Sequence, residues 1–95
     1  MHKLRLAWWK LKQALKALLT PRREITRWEG LGEAAYDKMY DVRDRYEARE
    51  CYDEAFQCLE EAIKIAKARK LRDEVARLTA RQDHIYHVYD HQFRT

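Results

Sequence analysis

The chain has 95 residues, with 20 Lys and Arg, 16 Asp and Glu, two Gly, one Pro and no Ser or Asn. So few turn-forming residues cannot supply the tight connections of a many-stranded β fold, whereas the abundant Ala, Leu, Lys, Arg and Glu favour helices. We therefore predict an all-α fold, a small bundle of about four helices in a single domain. The apolar runs are too short and too charged to span a bilayer.

Positive charge is concentrated at the beginning of the chain, in a segment that we call the basic arm (residues 1–20). Residues 1–27 contain eight basic residues and one acidic residue, so they carry a formal charge of +7, against +4 for the whole chain. Apolar residues recur in the arm at the spacing of one helical face: Leu4, Trp8, Leu11, Leu15 and Leu18. We predict an amphipathic helix that ends at residue 20, because Pro21 disfavours helical geometry in the residue before it.

The next segment keeps an unbroken apolar spacing of three and four, which predicts a long second helix over residues 21–49. This spacing runs through Ile25, Trp28, Gly32, Ala35, Met39, Val42 and Tyr46. Two interpretations of Gly32 stay open: a local break in the helix, or a point where another helix backbone comes close. A stripe of this length is also suited to pairing with a second copy, so a homodimer is a further hypothesis.

Two shifts in the phase of the apolar pattern predict the remaining helices. The first shift predicts a turn near residues 49–53, followed by a helix over residues 52–69. The second shift predicts a short connection at residues 68–71 and a last helix over residues 71–91. We expect Phe93 and the two residues after it to fray.

Small and aromatic residues occur at characteristic spacings between residues 36 and 68. The pattern consists of Tyr46, the run Tyr52-Asp53-Glu54-Ala55, Leu59, Ala62 and the run Ile63-Lys64-Ile65-Ala66. In this pattern the segment resembles one tetratricopeptide repeat, the helix-turn-helix unit of protein-interaction solenoids. It departs from the family at Met39, Val42-Arg43 and Lys67, where the family has Trp, Leu-Gly and Pro. The resemblance implies an antiparallel helical hairpin that binds a protein or peptide, with the flanking helices capping the repeat.

The basic arm has three alternative roles. We favour packing of its Leu and Trp face on the other helices, because a chain of this size needs the buried area. The same pattern is typical of a membrane-surface helix or of a helix that inserts into a partner's groove. The residues predicted to contact an anionic partner or membrane are Lys3, Arg5, Trp8, Trp9, Lys10, Lys12, Lys16, Arg22, Arg23 and Arg27. Nucleic acid is a less favoured partner, because no DNA-binding motif accompanies the basic cluster.

Aromatic residues on several predicted helices either line a groove or fill the core, and we expect core packing for most of them. They are Tyr36, Tyr40, Tyr46, Tyr52, Tyr86 and Tyr89, with Phe56 and Trp28. The groove predicted to receive a protein or peptide partner consists of Tyr36, Met39, Tyr40, Arg43 and Tyr46.

Metal and catalytic signals are weak. His84, His87 and His91 share one face of the last predicted helix, but three ligands on one helix rarely complete a tetrahedral site, so we predict no metal and no cofactor. Cys58 has apolar neighbours and is predicted to be an inert buried thiol that cannot pair with Cys51 two turns away. The chain has no serine, no glycine-rich phosphate loop and no CxxC or HExxH pattern, so we predict that it is not an enzyme.

These observations together predict a small adapter that binds a protein or peptide through a helical groove. A peripheral membrane protein anchored by the basic arm, and a nucleic-acid-binding helical protein, are the alternatives. Two unpaired thiols favour a cytoplasmic location, at the membrane surface if the arm binds lipid.

Overall fold

The fold is an all-α bundle of three helices, the third of which is extended by a π-helical segment. The computed structural model describes the backbone of residues 2–94 and the side chains of residues 8, 10–12 and 21–94. The elements are α1 (His2–Met39), α2 (Arg45–Ala68), α3 (Arg72–Val88) and the π-helical segment (Tyr89–Phe93). The described residues contain no strand, and the all-α prediction is confirmed.

The first helix, α1, is continuous where the sequence predicts two helices. Pro21 lies inside it, so the predicted helix end at residue 20 is wrong. A proline inside a helix removes one backbone hydrogen bond and crowds the carbonyl four residues earlier, which costs about 3 kcal/mol. The ring of Pro21 is buried, as is Ile25 one turn later, and this burial offsets part of the cost. The predicted end of the long helix at residue 49 is also wrong, because α1 ends at Met39.

The turn between α1 and α2 lies at residues 40–44, so the turn predicted near residues 49–53 is wrong. Asp44 caps α2, its carboxylate accepting a hydrogen bond from the backbone N–H of Tyr46 at 3.1 Å. Glu47 follows three residues after the cap, which is the spacing of a capping box. The segment that resembles a tetratricopeptide repeat, residues 36–68, therefore has its turn at residues 40–44 and not at residues 49–53. The resemblance itself stays a prediction.

The three helices run up, down and up. Tyr52 of α2 stacks on Tyr89 after α3, whereas the later residue Glu60 accepts a hydrogen bond from the earlier residue Gln82, so α2 and α3 are antiparallel. Gly32 of α1 lies against Ala55 of α2 across the turn at residues 40–44, so α1 and α2 form an antiparallel hairpin as well. The buried face of α2 is rich in alanine, a small residue that lets helix backbones approach: Ala48, Ala55, Ala62 and Ala66. The largest fully buried side chains are Met39, Leu59, Leu78 and Ile85, so all three helices contribute to one core.

Gly32 marks a close approach between α1 and α2. A Cβ atom at this position would lie 3.2 Å from the carbonyl oxygen of Ala55 and 3.4 Å from side-chain atoms of Cys58 and Leu59. The interpretation that another helix backbone comes close at Gly32 is therefore confirmed. The alternative interpretation, a break in the helix, is wrong because α1 continues through this position.

The connection between α2 and α3 lies at residues 69–71, inside the predicted stretch. Lys70 has a φ of 58°, in the left-handed region. The backbone N–H of Leu71 donates to the carbonyl of Ala66 at 2.9 Å, and that of Lys70 donates to Lys67 at 3.1 Å. This is the hydrogen-bond pattern of a Schellman motif, in which glycine usually occupies the left-handed position.

We expect Lys70→Gly to raise the free energy of unfolding by about 1 kcal/mol, because glycine has no Cβ to strain the left-handed backbone. Arg69→Gly is the matched control. Arg69 has a φ of −97°, so glycine there only adds freedom to the unfolded chain and lowers the free energy of unfolding by about 0.5–1 kcal/mol. Urea denaturation measures both changes in the free energy of unfolding. If both variants changed it with the same sign, the left-handed conformation of Lys70 would be contradicted.

Ion pairs join α1 to α3. Arg81 donates through Nε and Nη2 to both carboxylate oxygens of Glu33, at 2.6 and 2.7 Å. One turn earlier, Nη2 of Arg77 donates to Glu29 at 3.0 Å. The hydrogen bonds from Arg81 hold the pKa of Glu33 below its ordinary value of 4.5. Since both pairs join residues 48 positions apart, α1 and α3 run parallel.

We expect Glu33→Gln to lower the free energy of unfolding by about 1 kcal/mol at neutral pH, the effect of a two-point, half-exposed ion pair. A carboxylate whose pKa is lowered by folding stabilises the protein above its unfolded pKa, and this stabilisation is lost as the pH falls through the folded value. The difference from the unmodified chain should therefore disappear well below pH 4.5. Chemical denaturation across this range measures it. Glu61→Gln removes an exposed pair with Lys64 within α2 and is the control. A deficit of Glu33→Gln that is independent of pH would contradict the ion pair.

Candidate functional site

An open groove lies between the beginning of α2 and the end of α3, and we call it the Tyr–Arg groove. Its volume is about 500 Å³, within the range of about 300–1,000 Å³ that is common for ligand pockets. The lining consists of five aromatic residues, three arginines and one acidic residue: Arg45, Tyr46, Arg49, Tyr52, Asp53, Tyr86, Tyr89, Phe93 and Arg94.

Helical spacing brings the lining residues together. Tyr46, Arg49 and Asp53 follow one another on α2 at intervals of three and four, so they share one face of that helix. Tyr86 and Tyr89 lie one turn apart at the end of α3. Because α2 and α3 are antiparallel, the beginning of α2 meets the end of α3. The residues from α2 and those from the end of α3 therefore form opposite walls of the groove.

The π-helical segment places Phe93 against the turn between α1 and α2. The backbone N–H of Arg94 donates to the carbonyl of Tyr89, five residues earlier, at 3.0 Å. The Phe93 ring meets the ring of Tyr40 edge-on, with 5.3 Å between centroids. The prediction that Phe93 frays is therefore wrong, because these contacts pack it at the end of the bundle.

Tyr52 forms the base of the groove. Its ring stacks on Tyr89 at 4.2 Å with an interplanar angle of 10°, and it lies 5.8 Å from Phe56 and 6.5 Å from Tyr86. Such aromatic pairs contribute about 0.5–1.5 kcal/mol each beyond the area that they bury. Burial raises the pKa of the Tyr52 phenol, so its hydroxyl is a hydrogen-bond donor at neutral pH. The packed rings give the groove a preformed aromatic base.

The rim of the groove is exposed and positively charged. Tyr46 is 80% exposed. Arg49 is exposed, and no carboxylate among the described residues lies within ion-pair distance of it. Arg94 pairs with Asp90 at 3.1 Å. The lining contains three arginines and one acidic residue, Asp53. An aromatic ring and a guanidinium are thus available to an external ligand at the rim.

Of the five groove residues predicted from the sequence, only Tyr46 lines the Tyr–Arg groove. Met39 is fully buried and Tyr36 nearly so, and burial raises the pKa of Tyr36 to about 12. Their prediction as groove residues is wrong, because both side chains belong to the core. The hydroxyl of Tyr40, a half-exposed residue, lies 3.0 Å from that of Tyr36. Arg43 is exposed in a separate depression at the α1–α2 turn.

The described side chains of the basic arm are exposed to solvent. Trp8 is 66% exposed and Leu11 is 52% exposed, so the favoured prediction that the arm packs on the other helices is wrong for these two residues. Lys10 and Lys12 are exposed beside them. Three further predicted contact residues are exposed where α1 meets the bundle: Arg22, Arg23 and Arg27. The other predicted contact residues lie outside the described side chains: Lys3, Arg5, Trp9 and Lys16.

The histidines near the end of the chain have separate neighbours. The His84 ring lies 6.5 Å from Tyr36 of α1, whereas the His87 ring lies 6.4 Å from His91. Within the described part of the chain, no group of three or more His, Cys, Asp and Glu side chains has an arrangement that could hold a metal ion.

Both cysteines of α2 are buried. Cys51 and Cys58 are free thiols, and burial raises the pKa of each. The thiolate is the reactive form of cysteine, so the prediction that Cys58 is an inert buried thiol agrees with its surroundings.

Eight of the nine lining residues were not among the five groove residues predicted from the sequence. Tyr52, Tyr86 and Tyr89 belonged only to the wider set of aromatic residues expected to line a groove or fill the core, and the three arginines, Asp53 and Phe93 belonged to neither set. The spacing of Tyr46, Arg49 and Asp53 is a signal that could have indicated a shared face. The wrongly predicted turn at residues 49–53 separated these residues instead, so the signal was lost.

Comparison of the chain with protein-family models, with curated proteins and with solved structures gives no match. Across the described residues, no helix combines the length and apolar character needed to cross a bilayer.

Proposed function

We propose that this chain is a non-enzymatic adapter that binds an acidic peptide segment of a partner protein in the Tyr–Arg groove. The observation that carries the proposal is the combination of a preformed aromatic base with the exposed guanidinium of Arg49 in one groove of about 500 Å³. Tyrosine and arginine are the side chains most enriched at the energetic centres of protein interfaces, together with tryptophan.

The aromatic side chains and the arginine side chains of the groove bind different parts of the partner peptide. The exposed ring of Tyr46 and the stacked rings of Tyr52 and Tyr89 offer apolar faces to an apolar or aromatic side chain of the peptide. The guanidinium of Arg49 has the planar donor geometry that suits a carboxylate. A peptide with an acidic residue one or two positions from an apolar residue therefore contacts both the aromatic rings and the Arg49 guanidinium.

The test is an array of short peptides in which acidic and aromatic positions vary systematically, probed with the full chain. We expect retention of acidic peptides with an apolar anchor, and we expect Tyr46→Ala and Arg49→Ala each to weaken binding of the best peptide about tenfold or more, as at interface centres. Both side chains are exposed, so neither substitution should alter thermal unfolding.

Arg23→Ala is the matched control, because Arg23 is an exposed helical arginine outside the groove lining. It should leave peptide affinity unchanged. Failure of every acidic peptide to bind would contradict the proposal. Equal loss of affinity in Arg23→Ala and Arg49→Ala would also contradict it, because the attraction would then reflect overall charge and not the groove.

A further inference from the structure

A long part of α1 has no neighbouring helix. Arg22 lies beside the α2–α3 turn, lining one depression with Lys70 and Leu71. The helix continues beyond that point to His2, a length of about 30 Å at 1.5 Å per residue. The longest dimension of the molecule, 67 Å, reflects this extension. The basic arm therefore projects from the end of the bundle opposite to the Tyr–Arg groove.

Apolar and basic side chains lie together on the projecting helix. Trp8 and Leu11 expose most of their surface, and Lys10 and Lys12 are exposed next to them. A monomeric protein seldom leaves a large apolar patch rimmed by charge without an interaction to match it.

The helical register of the arm divides it into two sectors. At 100° per residue, positions 4, 8, 11, 15 and 18, widened by positions 7, 14 and 19, fill one sector of roughly 140°. The apolar positions 6, 9 and 17 fall in the opposite sector. Basic positions border both edges of this sector, positions 3 and 10 on one edge and 5 and 12 on the other. No acidic residue occurs in the arm.

This arrangement selects among possible occupants by charge and shape. A second copy of the arm would bring two surfaces of the same positive sign together, without an acidic residue to pair with either. Basic side chains on both edges suit a planar anionic surface, because their charged ends reach the headgroups while the apolar sector enters the lipid.

We propose that the basic arm binds the surface of an anionic membrane, with Trp8 and Leu11 inserted at the headgroup level and Lys10 and Lys12 contacting lipid phosphates and carboxylates. The arm lies parallel to the membrane plane. Because α1 is continuous, the bundle lies along the same axis, with the Tyr–Arg groove at the end away from the arm. This inference is independent of the peptide proposed for the groove, since it depends on residues at the other end of the molecule.

The experiment is co-sedimentation of the full chain with vesicles that contain phosphatidylserine, and with vesicles of phosphatidylcholine alone. We expect binding to the former that weakens with added salt, and much weaker binding to the latter. Trp8→Ala should reduce partitioning about tenfold, as expected for the loss of a large buried side chain. Lys10→Gln and Lys12→Gln should each reduce it about fivefold, because each surface charge near anionic lipid contributes about 1 kcal/mol.

Leu31→Ala is the control, because Leu31 is an exposed apolar residue of α1 that lies outside the basic arm, and it should retain the binding. Absence of binding to phosphatidylserine vesicles would overturn the proposal. Equal losses in Trp8→Ala and Leu31→Ala would also overturn it, because the effect would then not be specific to the basic arm. An unchanged Trp8→Ala variant alongside impaired lysine variants would overturn it as well, because simple attraction of a polycation to an anionic surface would then suffice. A dimer in sedimentation analysis that Trp8→Ala dissociates would assign the apolar sector to a second copy instead.

Discussion

Replacing Gly32 with leucine should lower the free energy of unfolding by about 3 kcal/mol, at the upper end of the usual cost of overpacking. The first atom of any side chain there would lie 3.2 Å from the carbonyl oxygen of Ala55. That oxygen belongs to the backbone of α2, which cannot move without disturbing its own hydrogen bonds. The remaining atoms of leucine would meet Cys58 and Leu59, so the two helices would have to separate.

Gly30→Leu is the control for this prediction, since nothing lies within 4 Å of a Cβ atom at Gly30. Glycine is a poor helix former, so leucine at this exposed position should raise the free energy of unfolding by about 0.5–1 kcal/mol. Guanidinium denaturation measures the change in the free energy of unfolding for both variants, and we expect the two changes to have opposite signs. A Gly32→Leu variant as stable as the unmodified chain would show that α1 and α2 do not approach closely at this position.

Leu78→Ala should lower the free energy of unfolding by about 3 kcal/mol, within the range measured for leucine-to-alanine changes in protein cores. Leu78 is fully buried. The other buried residues of α3 are Gln82 and Ile85. With so few buried side chains holding α3 to the bundle, the cavity would remove much of its apolar contact.

Leu31→Ala is the matched control for Leu78→Ala, because Leu31 is 45% exposed. Its effect should stay below about 1 kcal/mol, as for most surface substitutions. Thermal and urea denaturation of the two variants measure the difference. Similar losses of stability in both would contradict the position of α3 on the bundle.

The helical class of the fold followed from composition, and one detail of packing followed from a single residue. The scarcity of turn-forming residues excluded a β fold, and the position of Gly32 in an apolar stripe indicated a close helix approach. Both are confirmed because each depends on local chemistry, namely backbone propensity and the absence of a side chain.

The helix boundaries were harder to predict, because competing signals cancelled. Pro21 is a strong helix terminator in isolation, yet its burial beside Ile25 lets α1 continue. The turn at residues 40–44 contains no Gly or Pro, and the spacing of Met39, Val42 and Tyr46 imitates an uninterrupted helix across it. The capping pattern from Asp44 to Glu47 is the local signal that marks this turn.

The candidate site was predictable only in part, because it depends on which helix ends meet. Tyr46 was predicted as a groove residue and lines the Tyr–Arg groove. Its neighbours across the groove, Tyr86 and Tyr89, are 40 or more positions away in the sequence, and no periodicity within one helix relates them. The position of Phe93 depends on the π-helical segment, for which the sequence offered no separate signal.

The central claim is that the Tyr–Arg groove receives the partner peptide while the basic arm stays free for another surface. Amide proton–nitrogen correlation spectra of the full chain, recorded during titration with the best acidic peptide, test it most directly. The account predicts shifts at Tyr46, Arg49, Tyr52 and Tyr89, with the signals of residues 2–20 unchanged. Shifts confined to residues 2–20 would contradict the account, because the peptide would then bind the basic arm.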